Sequence, residues 1–138
     1  MKIISIEFEN LNSLAGHWKI DFAAADFAAS GIFAIIGAGK TTILDAVCLA
    51  LFGRTPRVKV SGAENEVMSK NRGGCMAEIV FENNGKVYLS RFEQRRARNR
   101  PDGALQSVQR SVQELGNPAT LVTMIRDVEA KVTEYLGM

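Results

Sequence analysis

Cysteine and histidine are almost missing from this 138-residue chain, which has two cysteines, Cys48 and Cys75, and one histidine, His17. Two cysteines make no disulfide framework. Neither has metal-ligand spacing, and a lone histidine argues against a zinc site within the chain. Cys48 sits inside an apolar run and is expected in the core, where free cysteine is common. Long hydrophobic runs are missing too. No apolar stretch approaches about 18 residues, so no membrane span is read. The start, Met1-Lys2-Ile3-Ile4-Ser5-Ile6-Glu7, has no sustained apolar segment, so no signal peptide is read. A cytoplasmic location is the default expectation. No internal repeat and no low-complexity tract occurs.

Charge of one sign is also scarce, with a net of only +2. Its distribution is uneven. Residues 86–110 carry Lys86, Arg91, Arg95, Arg96, Arg98, Arg100 and Arg110 against Glu93 and Asp102, which is +5, leaving −3 for the rest. A hydrophobic content of 46% and a charged content of 23% are globular values. The length fits one domain over 1–138, long enough to bury a substantial core.

Alternation places Ile4, Ile6 and Phe8 on one face of a strand, with Ser5 and Glu7 opposite. Trp18-Lys19-Ile20-Asp21-Phe22 alternates again and pairs naturally with it across the turn at 10–16. Residues 23–30 are Ala-rich and read as a short helical turn. Gly31 to Ile36 is apolar without alternation, the pattern of a buried strand in a parallel or mixed sheet. Residues 40–52 read as a helix apolar nearly all round, hence buried, with Gly53 as its stop. Residues 54–74 form a polar loop. Segments 76–82 and 86–92 flank Asn83-Asn84-Gly85, the strongest hairpin signal present. Residues 95–103 are basic and end in a Pro101-Asp102-Gly103 turn. Residues 108–115 read as a further strand. Asn117-Pro118 predicts the start of a last helix, whose apolar stripe is Leu121, Ile125, Val128, Val132 and Tyr135.

Chemistry concentrates at Ile36-Gly37-Ala38-Gly39-Lys40-Thr41-Thr42. A strand, a glycine loop with Gly-Lys-Thr and a helix is the context of a phosphate-binding loop. Glycines let successive N–H groups point inward, and a helix N-terminus adds partial positive charge. In that scheme Lys40 reaches the β- and γ-phosphates and Thr41 binds Mg²⁺. But the pattern needs a glycine five residues before Gly39, and Ala34 stands there. The arc that wraps the β-phosphate is missing. Weak nucleotide binding, or none, is expected. The bland alternative is an ordinary short strand-to-helix turn.

Phe8-Glu9-Asn10-Leu11-Asn12-Ser13-Leu14, Trp18-Lys19-Ile20-Asp21-Phe22, Gly39-Lys40-Thr41-Thr42-Ile43-Leu44-Asp45-Ala46-Val47-Cys48 and Thr55-Pro56-Arg57 occur in this order. Cys75-Met76-Ala77-Glu78-Ile79-Val80-Phe81, Arg96-Ala97-Arg98-Asn99 and Pro101-Asp102-Gly103 follow. Together they resemble the start of the SbcC family, ATPases of a bacterial double-strand DNA exonuclease and kin to the SMC-like ABC ATPases. The resemblance covers almost the whole chain.

It implies an α/β fold: the N-terminal lobe of a P-loop ABC-type ATPase head. The lobe would hold a mixed sheet and an antiparallel β subdomain around the helix after the loop. It implies ATP and Mg²⁺ as cofactors. The contacts carried over are Asn12, Ser13, Gly37, Ala38, Gly39, Lys40, Thr41 and Thr42, with Thr41 on the metal. It implies as partners the C-terminal half of the head, an SbcD-type nuclease, double-stranded DNA and a head-to-head homodimer, and no membrane. Relative to the family, three residues are absent between Ile36 and Ala38. The chain also stops before the glutamine loop, coiled coil, zinc hook and C-terminal lobe, and no catalytic residue is assigned.

Five arginines between 91 and 100 suggest an anionic partner, although such runs are usually just solvated. Arg95, Arg96 and Arg98 are the candidate contacts to DNA phosphates. Three readings follow: the nucleotide-binding lobe of an SbcC-type ATPase, impaired by its short loop; a catalytically dead DNA-binding or interaction module; and, last, an unrelated enzyme using a strand-to-helix turn.

Overall fold

The computed structural model describes residues 1–22, 32–56, 60–61 and 64–137, with the backbone alone over 32–41. The Ala-rich turn expected over 23–30 lies outside them. Five strands are described: β1 (Lys2–Leu11), β2 (Leu14–Asp21), β3 (Gly74–Asn83), β4 (Lys86–Arg95) and β5 (Gln109–Glu114). They form one sheet in the order β2-β1-β3-β4-β5, and every pairing is antiparallel. Two helices accompany it, α1 (Ile32–Phe52) and α2 (Ile125–Leu136).

The period-2 pattern explains the sheet. Ile6 and Phe8 of β1, Ile20 of β2, Ala77, Ile79 and Phe81 of β3, and Phe92 of β4 are buried on one face. The opposite face carries Glu7, Glu9, Glu78, Arg91, Glu93 and Arg95. One apolar and one charged face is the usual arrangement of an antiparallel sheet. The β3–β4 hairpin turns at Asn84 (φ 53°) and Gly85 (φ 80°), the pair of left-handed residues that a tight hairpin requires. Its strands run past the expected limits to Gly74 and Arg95, in unbroken register.

Two expectations fail at α1. The sequence predicts a strand over 31–36 and a glycine turn at 37–39. The structure runs one helix, Ile32–Phe52, through both. A short apolar run cannot be told from a buried helix by periodicity alone. Ile, Phe and Ala are tolerated in helices, and two interior glycines cost about 1 kcal/mol each. Helix continuation replaces the turn. The second failure follows from the first: the expected parallel member of a mixed sheet is absent, and the sheet is wholly antiparallel among the described residues.

α1 packs on the inner face across β1, β3 and β4. Ala46, Leu49, Ala50 and Leu51 are buried there. A helix enclosed between two β layers is not what the described residues form, because Leu44 is 61% exposed and Phe52 40%. Cys48, expected in the core, is only partly buried on the same helix, whereas Cys75 is fully enclosed. Gly53 (φ 71°) ends α1 with its N–H on the Leu49 carbonyl at 2.9 Å.

The last helix begins later than Asn117-Pro118 predicts. Pro118–Thr120 forms only a 3₁₀ turn, and the Asn117 side chain makes no cap. Val122 exchanges main-chain hydrogen bonds with Val112 of β5, at 2.9 and 3.0 Å. That keeps the chain extended until Met124, and α2 starts at Ile125. Val128 and Val132 are buried, whereas Leu121 and Ile125 of the expected stripe are exposed. Tyr135 stacks on Tyr88 with ring centroids 4.0 Å apart.

Residues 96–103 close the end of the β3–β4 hairpin tightly. The Arg96 N–H donates to the Gly73 carbonyl at 2.8 Å. A Cβ at Gly73 would lie 1.9 Å from the Asn99 carbonyl oxygen. Gly73→Ala is therefore expected to cost about 2 kcal/mol, the usual scale of overpacking against backbone. Urea unfolding of the two proteins measures it, and equal midpoints would contradict this packing.

Candidate functional site

The turn between β1 and β2 is built on two left-handed asparagines, Asn10 (φ 56°) and Asn12 (φ 51°), a conformation asparagine tolerates better than most residues. Asn10 locks the turn. Its Nδ2 donates to the Gly74 carbonyl at 3.0 Å, and its Oδ1 accepts the Gly16 N–H at 2.7 Å. The backbone of Asn12 is held by the segment at 67–69: its N–H donates to Val67 O at 2.7 Å, and its carbonyl accepts Ser69 Oγ at 2.8 Å. Asn65 shapes that segment by accepting the Val67 and Met68 N–H groups, each at 2.9 Å.

The Asn12 side chain is thereby aimed at α1. Its Nδ2 lies 3.1 Å from Thr42 Oγ1 and 2.8 Å from Asp45 Oδ2. Two residues carried over from the family resemblance, Asn12 and Thr42, are thus brought together, and both Thr42 and Asp45 are buried. The motif does not single out Asp45. Its spacing of three from Thr42 puts it on the same helix face, which is the one signal in the sequence that could find it. Ser13 is exposed at the tip of the turn.

Gly37, Ala38, Gly39, Lys40 and Thr41 lie inside α1, and their side chains fall outside the described residues. Only the first four N–H groups of a helix are free of the i−4 ladder. Counted from Ile32, those of 37–41 are past that turn. In this helical form the segment presents no inward N–H nest. No group of three or more His, Cys, Asp or Glu residues that could hold a metal ion occurs among the described residues.

The far end of α1 is tied to the sheet. Ser90 Oγ donates to the Ala50 carbonyl at 2.5 Å, and Arg110 Nη2 to the Leu51 carbonyl at 2.7 Å. A cation on the last carbonyls of a helix complements its dipole. Arg110 is 5% exposed, and its Nε and Nη1 have no hydrogen-bond partner among the described residues. Burial pushes its pKa down, with nearby Glu129 opposing. In the sequence this residue is only an arginine in a strand, with no mark of the role.

The arginines divide into two groups. Arg91 bridges Glu78 at 2.7 Å and Glu93 at 2.6 Å. Arg95 faces Glu9 at 3.7 Å and Glu93 at 3.5 Å. Arg96 donates to the Gly103 carbonyl at 3.3 Å. Arg98, at φ 58°, and Arg100 are exposed on the turn beyond β4, with Arg100 3.3 Å from Asp102. So the structure engages Arg95 and Arg96 internally and presents Arg98 outward.

Residues 5–134 match the family described as AAA domain. The chain is also similar to the SbcC component of the SbcCD nuclease from three bacteria. The protein from Pseudomonas aeruginosa is 46% identical over 134 residues, covering 83% of this chain and 11% of the relative. That from Rhodobacter capsulatus is 37% identical over 158 residues, covering 100% and 13%. That from Clostridium acetobutylicum is 33% identical over 100 residues, covering 70% and 8%. The chain spans about a tenth of the length of these curated relatives. The Rhodobacter alignment is longer than the 138 residues of this chain, so that relative holds residues with no counterpart here.

The ion-pair network predicts acid sensitivity. Burial works against the Glu93 carboxylate, but hydrogen bonds from Arg91 and Arg95 outweigh it and hold its pKa below the ordinary glutamate value. Stability from a depressed carboxylate is present above its unfolded pKa and is lost as pH falls through the folded one. Arg91→Gln should lower stability at neutral pH and flatten its fall in acid. Urea midpoints across a pH series test this, and parallel curves for the two proteins would count against it.

Proposed function

Because the chain belongs to the AAA domain family, we propose that it is the nucleotide-binding lobe of an SbcC-type ATPase, impaired by a shortened phosphate loop. Such a lobe acts in double-strand DNA end processing with an SbcD-type nuclease, in the cytoplasm and associated with the nucleoid. The observation that carries the reading is the contact of Asn12 with Thr42 and Asp45. It joins the turn after the first strand to the part of α1 that follows Gly39-Lys40-Thr41, two of the segments on which the family resemblance rests. ATP and Mg²⁺ are the ligands the family implies, and Gly37, Ala38, Gly39, Lys40, Thr41 and Thr42, with Asn12 and Ser13, are the residues that would meet them. The C-terminal half of a head, and a second head opposite it, supply the groups that phosphoryl transfer needs positioned together. No described helix is long and apolar enough to cross a membrane.

One observation favours the alternative of a catalytically dead DNA-binding or interaction module: α1 runs through the loop segment, Ile32–Phe52. Nucleotide titration separates the readings. ATP should bind this chain weakly, and Lys40→Ala should change little. Restoring three residues between Ile36 and Ala38 should raise affinity, which Lys40→Ala then removes. Neither form alone should hydrolyse ATP. Tight, Mg²⁺-dependent binding by the chain as it stands would overturn the impaired-loop reading, and no gain on restoration would favour the module.

DNA contact is proposed for Arg95, Arg96 and Arg98. Phosphate contacts are independent of sequence and lower the salt slope by about one unit each when removed. Replacing all three with alanine should weaken duplex binding uniformly and flatten its salt dependence. Because Arg95 also pairs with Glu9 and Glu93, Arg98→Ala alone should retain the fold and still lose affinity. Unchanged binding and slope in both variants would leave these arginines as solvated or structural groups.

A further inference from the structure

Among the described residues, the largest fully buried side chains are apolar with one exception, Gln94 of β4. A buried carboxamide needs its donors and its acceptor met. The Gln94 Nε2 donates to the Ser61 carbonyl at 2.7 Å and to the Gln106 carbonyl at 2.9 Å. Carbonyls only accept, so this amide cannot be turned over, and its Oε1 is left facing Asn65. There it accepts from Asn65 Nδ2 at 2.8 Å. The Asn65 amide is oriented in turn. With its nitrogen on Gln94 and on Cys75 Sγ, the latter at 3.3 Å, its Oδ1 receives the N–H groups of Val67 and Met68. Residues 67–69 then hold the Asn12 backbone through Val67 O and Ser69 Oγ. That backbone sits at φ 51° and aims the Asn12 amide at Thr42 and Asp45.

We propose that Gln94 and Asn65 are positioning residues for the site at Asn12, Thr42 and Asp45, and that their polarity, beyond their bulk, sets where Asn12 donates. Both act through Asn12. That the site serves nucleotide rests on the function proposed for the chain; the relay itself does not. Each bond in the relay has one permitted direction, because it starts on two carbonyls and ends on two N–H groups. An apolar or reversed group at either position leaves 67–69 without its template, and the left-handed turn loses one support. Asn10 is another, tying the same turn to Gly74 and Gly16. If Asn10 sets the turn alone, changes at Gln94 or Asn65 do not reach Asn12.

Asn65→Asp tests direction at nearly constant shape. The position is only partly buried, and the new carboxylate keeps acceptors for Val67 and Met68 but meets Gln94 Oε1 with no proton. Nuclear magnetic resonance of the full chain follows the side-chain amides of Asn12 and Asn10. At neutral pH the Asn12 signal should shift and its protons exchange about tenfold faster, the scale of one lost hydrogen bond. The Asn10 signal should stay. In acid the variant and parent Asn12 signals should converge, since a protonated carboxyl donates to Gln94 again. Asp45, Glu64, Glu66, Glu9 and Glu93 titrate in both chains, so the comparison cancels them. Gln94→Met, which keeps volume and removes polarity, should shift Asn12 alike at every pH. An unmoved Asn12 signal in both variants, or Asn12 and Asn10 moving together, would overturn the positioning role. So would loss of the folded spectrum in both, which would make the pair a support of the core. ATP titration of the loop-restored chain with and without Asn12→Ala judges the nucleotide reading separately. Equal affinity there would remove nucleotide from the site and leave the relay as the Asn12 signals have it.

Discussion

Helix α1 rests on the apolar face of the sheet and is fixed along its axis by side chains that the sheet sends to it. Asn12 reaches Thr42 and Asp45 from the β1–β2 turn. Ser90 and Arg110 reach the carbonyls of Ala50 and Leu51 from β4 and β5. Apolar packing alone is non-directional and leaves a helix free to slide or rotate. Buried polar groups do not, because breaking one strands a donor or acceptor away from water. Those contacts fix which residues of α1 face the β1–β2 turn, and so the geometry of any site built there.

The same helix runs through the segment that carries the phosphate-loop residues. A phosphate loop needs enough backbone to leave the strand, curl around an anion and enter the helix. Residues 36–40 lie within α1, where the chain satisfies its N–H groups in the helical ladder. Lys40 and Thr41 keep their place in the order of the motif, yet their backbone setting is that of an ordinary helix.

Charge needs the same accounting. A run of arginines looks like one basic patch in sequence, but strand alternation and cross-strand neighbours divide it. Arg91 and Arg95 point to the outer sheet face, where Glu9, Glu78 and Glu93 meet them. Such partly exposed pairs contribute little individually and more as a network. Beyond the end of β4, Arg98 is exposed on a turn that packs closely over Gly73, and Arg100 beside it pairs with Asp102.

The sequence by itself determined the strands with clear alternation, the Asn84-Gly85 hairpin, the strand expected at 108–115 and found at 109–114, and membership of the AAA domain family. These rest on period, turn chemistry and motif order, which are local. It also points to Asn12 and Thr42, though not to Asp45 beside them. The strand expected at 31–36, the mixed sheet and the helix start at Asn117 do not form. A short apolar run does not by itself separate strand from buried helix, and β5 draws Val122 into extended pairing. Only the tertiary structure could assign Arg110 to the end of α1 and split the arginines into paired and exposed sets. Those outcomes follow from which groups meet across the fold, and a linear chain does not state who its distant neighbours will be.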